Sequence, residues 1–232
     1  MQPKYQSQPL RTGDSFNTGR QPGLSKQEVK QAFDSLAKDY DHKLWFADHI
    51  LGVVRLRRQI MRKASGKILD VACGTGSNFP LFPSGSEITA IDLSPQMLEM
   101  ARQRAARLGL KVDFHVMDAE ALGFPDGSFN VVVSALSTCT FSDPIAALRE
   151  MSRVCRADGR IILLEHGRSS LSLLARYQDR NAHKHLERAG CRWNQEPLAL
   201  VQTAALKIVT VQRTVLGLFH LIEAAPPVRS AS

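Results

Sequence analysis

Between Lys67 and His166, short apolar runs alternate with polar stretches of helical spacing. The runs KILDVA, EITAID, KVDFHVMD, FNVVVSAL and RIILLEH end at glycine, serine or charged residues. Runs this short and this apolar, separated by helices, predict strands buried on both faces of a parallel sheet. The helices carry their own punctuation. Ser94-Pro95 and Asp143-Pro144 are N-cap and first-turn signals, and Asp158-Gly159 predicts the end of the second of these helices. Upstream, Ser25 and Glu28 form an S-x-x-E capping box ahead of Val29, Phe33, Leu36 and Tyr40, an apolar helix face that Tyr40, His42 and Trp45 are expected to close. A second helix is expected from Trp45 to Met61. Downstream, Lys207–Val211 and Val215–Ala224 predict a β-hairpin at one sheet edge. The expected organisation is a polar tail over 1–24, a helical cap over 25–66 and one α/β domain over 67–226.

Length supports that reading, because 232 residues suit one generous domain and not two. The four cysteines, Cys73, Cys139, Cys155 and Cys191, include no C-x-x-C pair. Neither a disulfide framework nor a zinc-ligand spacing is therefore written in the chain, and a reducing, cytoplasmic setting is expected, with organelle import through the tail left open. No apolar run approaches the roughly 18 residues that a membrane span requires. The net charge of +8 is spread along the chain, with one concentration: Arg55, Arg57, Arg58, Arg62 and Lys63, and no acid between Asp48 and Asp70. A basic helix over 53–63 reads either as a solvated face or as a peripheral contact with a membrane surface.

In an open parallel sheet, ligands bind beyond the carboxyl ends of the strands. After the first strand stands Ala72-Cys73-Gly74-Thr75-Gly76, where residues without side chains let a ligand approach the backbone. The third glycine of a dinucleotide fingerprint is replaced by Phe79, which argues against a nicotinamide cofactor. Asp92, 16 residues beyond Gly76, offers a carboxylate to the two hydroxyls of a ribose. Asp118-Ala119-Glu120 offers an acceptor to an exocyclic amine such as that of adenine.

Four segments, ILDVACGTG, AIDLSPQMLEMAR, VMDAEALGFPDGSFNVVVSA and LREMSRVCRADGRIILLE, resemble the successive motifs of class I S-adenosylmethionine-dependent methyltransferases of the ubiquinone/menaquinone-biosynthesis type, from about Tyr40 to Glu165. The resemblance implies a Rossmann-like, mostly parallel seven-stranded sheet with a C-terminal antiparallel hairpin and an N-terminal helical cap. It also implies S-adenosylmethionine as cofactor, S-adenosylhomocysteine as product, a small-molecule acceptor and no metal. Carried over by position, Gly74, Thr75 and Gly76 lie against the methionine part, Asp92 binds the ribose, Asp118 and Ala119 flank the adenine, and Ser134 to Leu136 lie by the sulfonium. Asp70, Ala72, Leu93, Met97 and Glu120 complete the implied cofactor set.

Past Glu165 the chain is similar to the methyltransferase-like protein 7 group, membrane-associated enzymes that methylate alkyl thiols. The likeness rests on Glu165-His166, Asp179, His185, Gly190-Cys191 and Glu196, with the segment from Asp179 to Cys191 two residues longer here and a polar tail in place of that group's hydrophobic anchor. A thiol acceptor is activated by losing its proton, so His166 at a strand end is the first candidate base and His185 the second. Tyr40, His42 and Trp45 read either as a lid over the sulfonium, with aromatic faces suited to a cation, or, for Tyr40 and Trp45, as packing of the cap on the sheet. Cys139 reads as small-residue packing. Methylation of RNA or of a quinone or lipid is the alternative; the base-flipping Asn-Pro-Pro-Tyr signature is absent after the fourth strand, where Ser134-Ala135-Leu136-Ser137 stands.

Overall fold

The computed structural model describes residues 24–227, apart from the side chains of residues 44–48. The expected tail lies outside the described residues except for Leu24. Strands β1 (Lys67–Val71), β2 (Glu87–Asp92), β3 (Val112–Val116), β4 (Phe129–Ala135), β5 (Cys155–His166), β6 (Lys207–Thr214) and β7 (Phe219–Ala225) form one sheet in the order β3-β2-β1-β4-β5-β7-β6. The first five pair in parallel, and β7 runs antiparallel to both β5 and β6. The strand order reverses between β1 and β4, so the carboxyl ends of these two strands open the crevice in which doubly wound sheets bind ligands.

Alternate residues of the central strands feed two layers. Leu69, Val132, Ile161 and Leu163 pack with α5 (Pro144–Val154) and α7 (Pro197–Thr203), whereas Ile68, Val131, Val133, Ile162 and Leu164 pack with α3 (Val53–Met61). Helix α4 (Pro95–Arg107) covers Ile88 and Ala90. Each fully buried Leu, Ile or Val contributes roughly 1.5–3 kcal/mol, which makes this layering the main stabilising term.

The capping box forms as expected, with the Glu28 N–H donating to Ser25 Oγ and the Ser25 N–H to Glu28 Oε2 at 2.8 Å. The first helix, α1 (Lys26–Leu36), nevertheless stops before Tyr40, which opens α2 (Tyr40–Ile50). The expected placement of Tyr40 and His42 at the end of the first helix is corrected, because Asp39 N–H turns back to Leu36 O at 3.0 Å. The apolar stretch from Trp45 to Met61 is likewise divided, since Gly52 takes φ +71° between α2 and α3. Asp158-Gly159 does not end a helix: α5 stops at Val154, and Cys155 enters β5 in an extended conformation. The extra residues are absorbed as a bulge between the pairs Phe129↔Cys155 and Val131↔Arg160. A Cβ on Gly159 would lie 2.7 Å from Asn130 O and from Cys155 Sγ, so the glycine serves close packing.

Helix α3 lays Val53, Leu56, Ile60 and Met61 on the sheet and leaves Arg55, Arg58 and Arg62 exposed. His183 and His185, read as exposed helix positions, do lie on a helix, but sequence patterning delimited neither α6 (Ser172–Ala189) nor α7. The buried stripe of α6 is Ala175, Gln178, Ala182 and Leu186, too small and polar to register as an apolar face. Among the described residues, no helix is long and apolar enough to cross a membrane.

Asp143 Oδ1 accepts from the Ile145 and Ala146 N–H groups, both at 3.0 Å, at the start of the helix that covers the largest core layer. Replacing it by Ala should lower stability by about 1 kcal/mol in urea unfolding, with an unchanged denaturant slope.

Candidate active site

The loop after β1 is shaped by three left-handed residues, Ala72 (φ 52°), Gly74 (φ 56°) and Gly76 (φ 79°). The two glycines serve different ends. A Cβ on Gly76 would lie 2.4 Å from Phe79 Cε2, so Phe79 fills the turn from within, whereas a Cβ on Gly74 would meet no protein atom within 4 Å. The open side of Gly74 faces the cleft that this residue lines. Asp92 is held at the end of β2 by two backbone donors, with Gly74 N–H on Oδ2 and Ser94 N–H on Oδ1, both at 2.9 Å. Burial lifts its pKa to about 6, against the N–H groups of Ser94, Gly74 and Leu93 that favour the carboxylate.

The cap roofs this cleft through polar ties. Lys26 Nζ reaches Asp118 Oδ2 at 2.5 Å and Glu120 Oε2 at 2.8 Å, and Ser94 Oγ donates to Asp34 Oδ1 at 2.5 Å. At the start of α2, Asp41 accepts from Thr75 Oγ1 at 2.6 Å and from the Arg104 guanidinium. The resulting cleft is partly open to solvent.

Of the residues expected at a cofactor, the cleft wall contains Ala72, Gly74, Thr75, Asp92, Leu93, Met97, Ala119, Glu120 and Leu136, together with Tyr40. Four others are not part of the wall. Gly76 packs on Phe79, Asp118 accepts from Lys26 and from the Glu120 N–H, and Ser134 is buried against Ser137 and Glu165. Asp70 is fully buried; Oδ1 accepts from Asn78 Nδ2 at 2.8 Å, Asn78 Oδ1 accepts from Arg57 at 2.7 Å, and Oδ2 has no hydrogen-bond partner. Burial carries the Asp70 pKa to about 7 in spite of Asn78 and Arg57. Sequence reasoning missed Val29, Phe33, Lys30 and Arg57 from the cap, and Thr140 and Phe141 from the loop after β4. The helical periodicity of α1 was the available signal for Val29 and Phe33.

The two histidines expected as bases do not line the cleft. His166 Nε2 lies 3.1 Å from Cys191 Sγ, and the His185 ring stacks on Trp193 at 4.3 Å and 5°. Burial disfavours charge on His166, yet its bond to Cys191 and the nearby Glu165 raise its pKa. Contact with Cys139 and the His166 and His185 rings draws the Cys191 thiol down, against its own burial. Among the described residues, the titratable side chains of the cleft wall are Lys26, Lys30, Tyr40, Arg57, Cys73, Asp92 and Glu120.

Residues 69–163 match the family model of the methyltransferase domain. The chain is 29% identical over 213 residues to the mitochondrial methyltransferase OMS1 of Saccharomyces cerevisiae, covering 84% of this chain and 45% of that protein. It is 36% identical over 103 residues to phosphatidylethanolamine N-methyltransferase of Cereibacter sphaeroides, covering 44% and 51%. With the ubiquinone/menaquinone biosynthesis C-methyltransferase UbiE of Hahella chejuensis it shares 32% over 173 residues, 66% of each. The chain thus spans about half the length of the first curated relatives it matches. Among solved structures, magnesium protoporphyrin IX methyltransferase of Synechocystis with bound S-adenosylhomocysteine superposes with a TM-score of 0.68 at 17% identity, over 88% of this chain and 100% of that one.

The raised pKa of Asp70 has a signed consequence. A carboxyl that keeps its proton when folded but loses it near pH 4 when unfolded gives stability that is present at low pH and lost as pH rises through about 7. Asp70→Asn, which stays neutral, should therefore gain stability relative to the parent chain as pH rises from about 5 to about 8, by paired thermal melts. An equal difference at both ends of that window would show that Asp70 does not titrate there.

Proposed function

We propose, for a chain that belongs by motif and fold to the class I S-adenosylmethionine-dependent methyltransferases with ubiquinone-type motifs, that the cleft under α1 methylates a small, largely apolar acceptor, with a thiol as the first candidate. The observation that carries the cofactor half is the pairing of Gly74 and Asp92. The open Cβ position at Gly74 leaves room for a ligand against the backbone, and the Asp92 carboxylate stands beside it with its orientation fixed. When bound, S-adenosylmethionine supplies an electrophilic methyl group on a sulfonium. The chain's part is to bind, orient and exclude water. Asp92 accepts hydrogen bonds from ribose hydroxyls, Ala119 and Glu120 flank the base, and Tyr40, Leu136 and Phe141 present apolar and aromatic surface where the acceptor enters.

The acceptor half rests on what surrounds that entrance. Phe33 and Tyr40 lie with ring centroids 6.1 Å apart, and Val29, Leu136 and Phe141 complete an apolar mouth. With His166 and His185 turned to Cys191 and Trp193, the wall favours a nucleophile that ionises unaided, which a thiol does near neutral pH far more readily than an alcohol or phenol. Arg57, whose guanidinium donates to the neutral Asn78 amide, adds positive potential that favours an anionic acceptor. A second reading draws the acceptor from a membrane surface, consistent with the name of the phosphatidylethanolamine-methylating relative. Its support is the exposed basic face of α3, Arg55, Arg58 and Arg62, beside the exposed Ile50 and Leu51.

Asp92→Ala should weaken S-adenosylhomocysteine binding at least tenfold by calorimetry while the far-ultraviolet dichroism is kept, because charge-assisted bonds of about 1.5–3 kcal/mol are lost. Gly74→Val, which places a branched side chain in the free space, should do the same. Turnover against a panel of thiols, phenols and amines should favour thiols, with the rate rising with pH in step with each thiol's own pKa. A phenol or amine turned over faster than every thiol would replace this acceptor class. Reversing Arg55, Arg58 and Arg62 to Glu should abolish salt-sensitive binding to vesicles containing anionic lipid; vesicle binding that the reversal leaves intact removes the membrane reading.

A further inference from the structure

Outside the cleft, three soft metal-ligating side chains from three separate segments converge. Cys139 comes from the loop after β4, His166 from the last position of β5, and Cys191 from the residue after the C-cap of α6. Their ligand atoms, two Sγ and one imidazole nitrogen, all lie within 4.8 Å of one another. We propose that Cys139, His166 and Cys191 bind one zinc ion, and that this ion ties the segment after α6 to the wall of the cleft.

Geometry, chemistry and rigidity each support the site. Zinc bonds of about 2.3 Å to sulfur and about 2.0–2.1 Å to nitrogen at tetrahedral angles set ligand atoms roughly 3.5 Å apart. One pair, His166 Nε2 and Cys191 Sγ, already stands at 3.1 Å, and all three donor atoms lie within 4.8 Å of one another. Two thiolates and one imidazole form a soft, nitrogen- and sulfur-rich set that favours zinc over magnesium or calcium. Bound to the ion, both sulfurs would be thiolates, whose charge a dipositive ion balances.

The backbone around the donors is already fixed. Gly190 takes φ 65° and ends α6, turning Cys191 back toward the sheet. The next residue zips onto the opposite segment, with Arg192 N–H on Cys139 O at 3.1 Å and its guanidinium on Phe141 O at 2.7 Å. Glu165, the residue before His166, accepts from Thr138 N–H at 3.2 Å, which steadies the loop carrying Cys139. Leu136 and Phe141 of the same loop line the cleft, so an ion on Cys139 braces the presumed acceptor side. No local motif announces such a site, since its ligands are 27 and 25 residues apart in sequence. The ion has no part in the chemistry proposed above, and zinc content is measured without reference to turnover, so the two proposals stand or fall separately.

The test is metal analysis of the full chain, purified reduced and without a metal-binding tag. The parent chain and Cys155→Ser, whose thiol lies elsewhere, should each hold one zinc per chain, and zinc should raise their melting temperatures. Cys139→Ser, Cys191→Ser and His166→Gln should each lose affinity by more than ~100-fold in competition with a chromogenic chelator, since even outer-shell changes cost 10–100-fold. Cobalt added to the reduced, metal-free parent chain should show thiolate charge-transfer and tetrahedral ligand-field absorption, a readout that does not depend on whether a variant folds. A folded, reduced parent chain that takes up neither zinc nor cobalt overturns the proposal. So does uptake that all three variants retain.

Discussion

The Asp92 carboxylate is the joint on which the site turns. One oxygen holds the Gly74 N–H and the other the Ser94 N–H, so a single side chain at the end of β2 fixes the glycine loop and the start of α4 together. Neither neighbour is independent of it. Gly74 sits at φ 56°, and the Ser94 Oγ in turn caps Met97 N–H at 3.1 Å while donating to Asp34 in the cap. The carboxylate therefore transmits its position from the sheet to the loop, to a helix and to the roof. Burial works against its charge, and the two amide donors partly offset that penalty; hydroxyl donors from a ligand would add to them.

The parallel sheet was legible because its strands are apolar on both faces and its helices start on Ser-Pro and Asp-Pro. The cleft wall was legible where it coincides with strand ends, as at Gly74, Asp92 and Ala119. It was not legible where a residue's role is set by a partner distant in sequence. Asp118 reads as a free acceptor until Lys26, 92 residues away, is placed on it. His166 reads as a strand-end base until the turn at Gly190 brings Cys191 against it. Asp158-Gly159 has the composition of a helix stop, and only the pairing of β4 with β5 reveals a bulge. In each case a partner distant in sequence, not the local composition, decides what the residue does in the fold.

The cap and the sheet are held by different forces. The sheet is stabilised by apolar layers on both faces, whereas α1 has no fully buried residue and meets the domain through Lys26, Asp34 and partly buried Val29 and Phe33. Part-exposed ion pairs of this kind contribute about 0–1 kcal/mol each, so local opening of the roof costs far less than unfolding the core. A ligand buried beneath such a roof needs no separate entrance.

The Lys26 contact gives this opening an electrical character. Its ammonium bridges Asp118 and Glu120, the acidic pair that the proposed cofactor arrangement sets near a purine, so these two carboxylates also latch the roof. Dissolved ions screen such a contact over a Debye length of about 8 Å at physiological ionic strength, and more tightly in concentrated salt. Opening of the roof, and with it any passage of a ligand beneath, is thereby tied to the ionic composition of the surroundings.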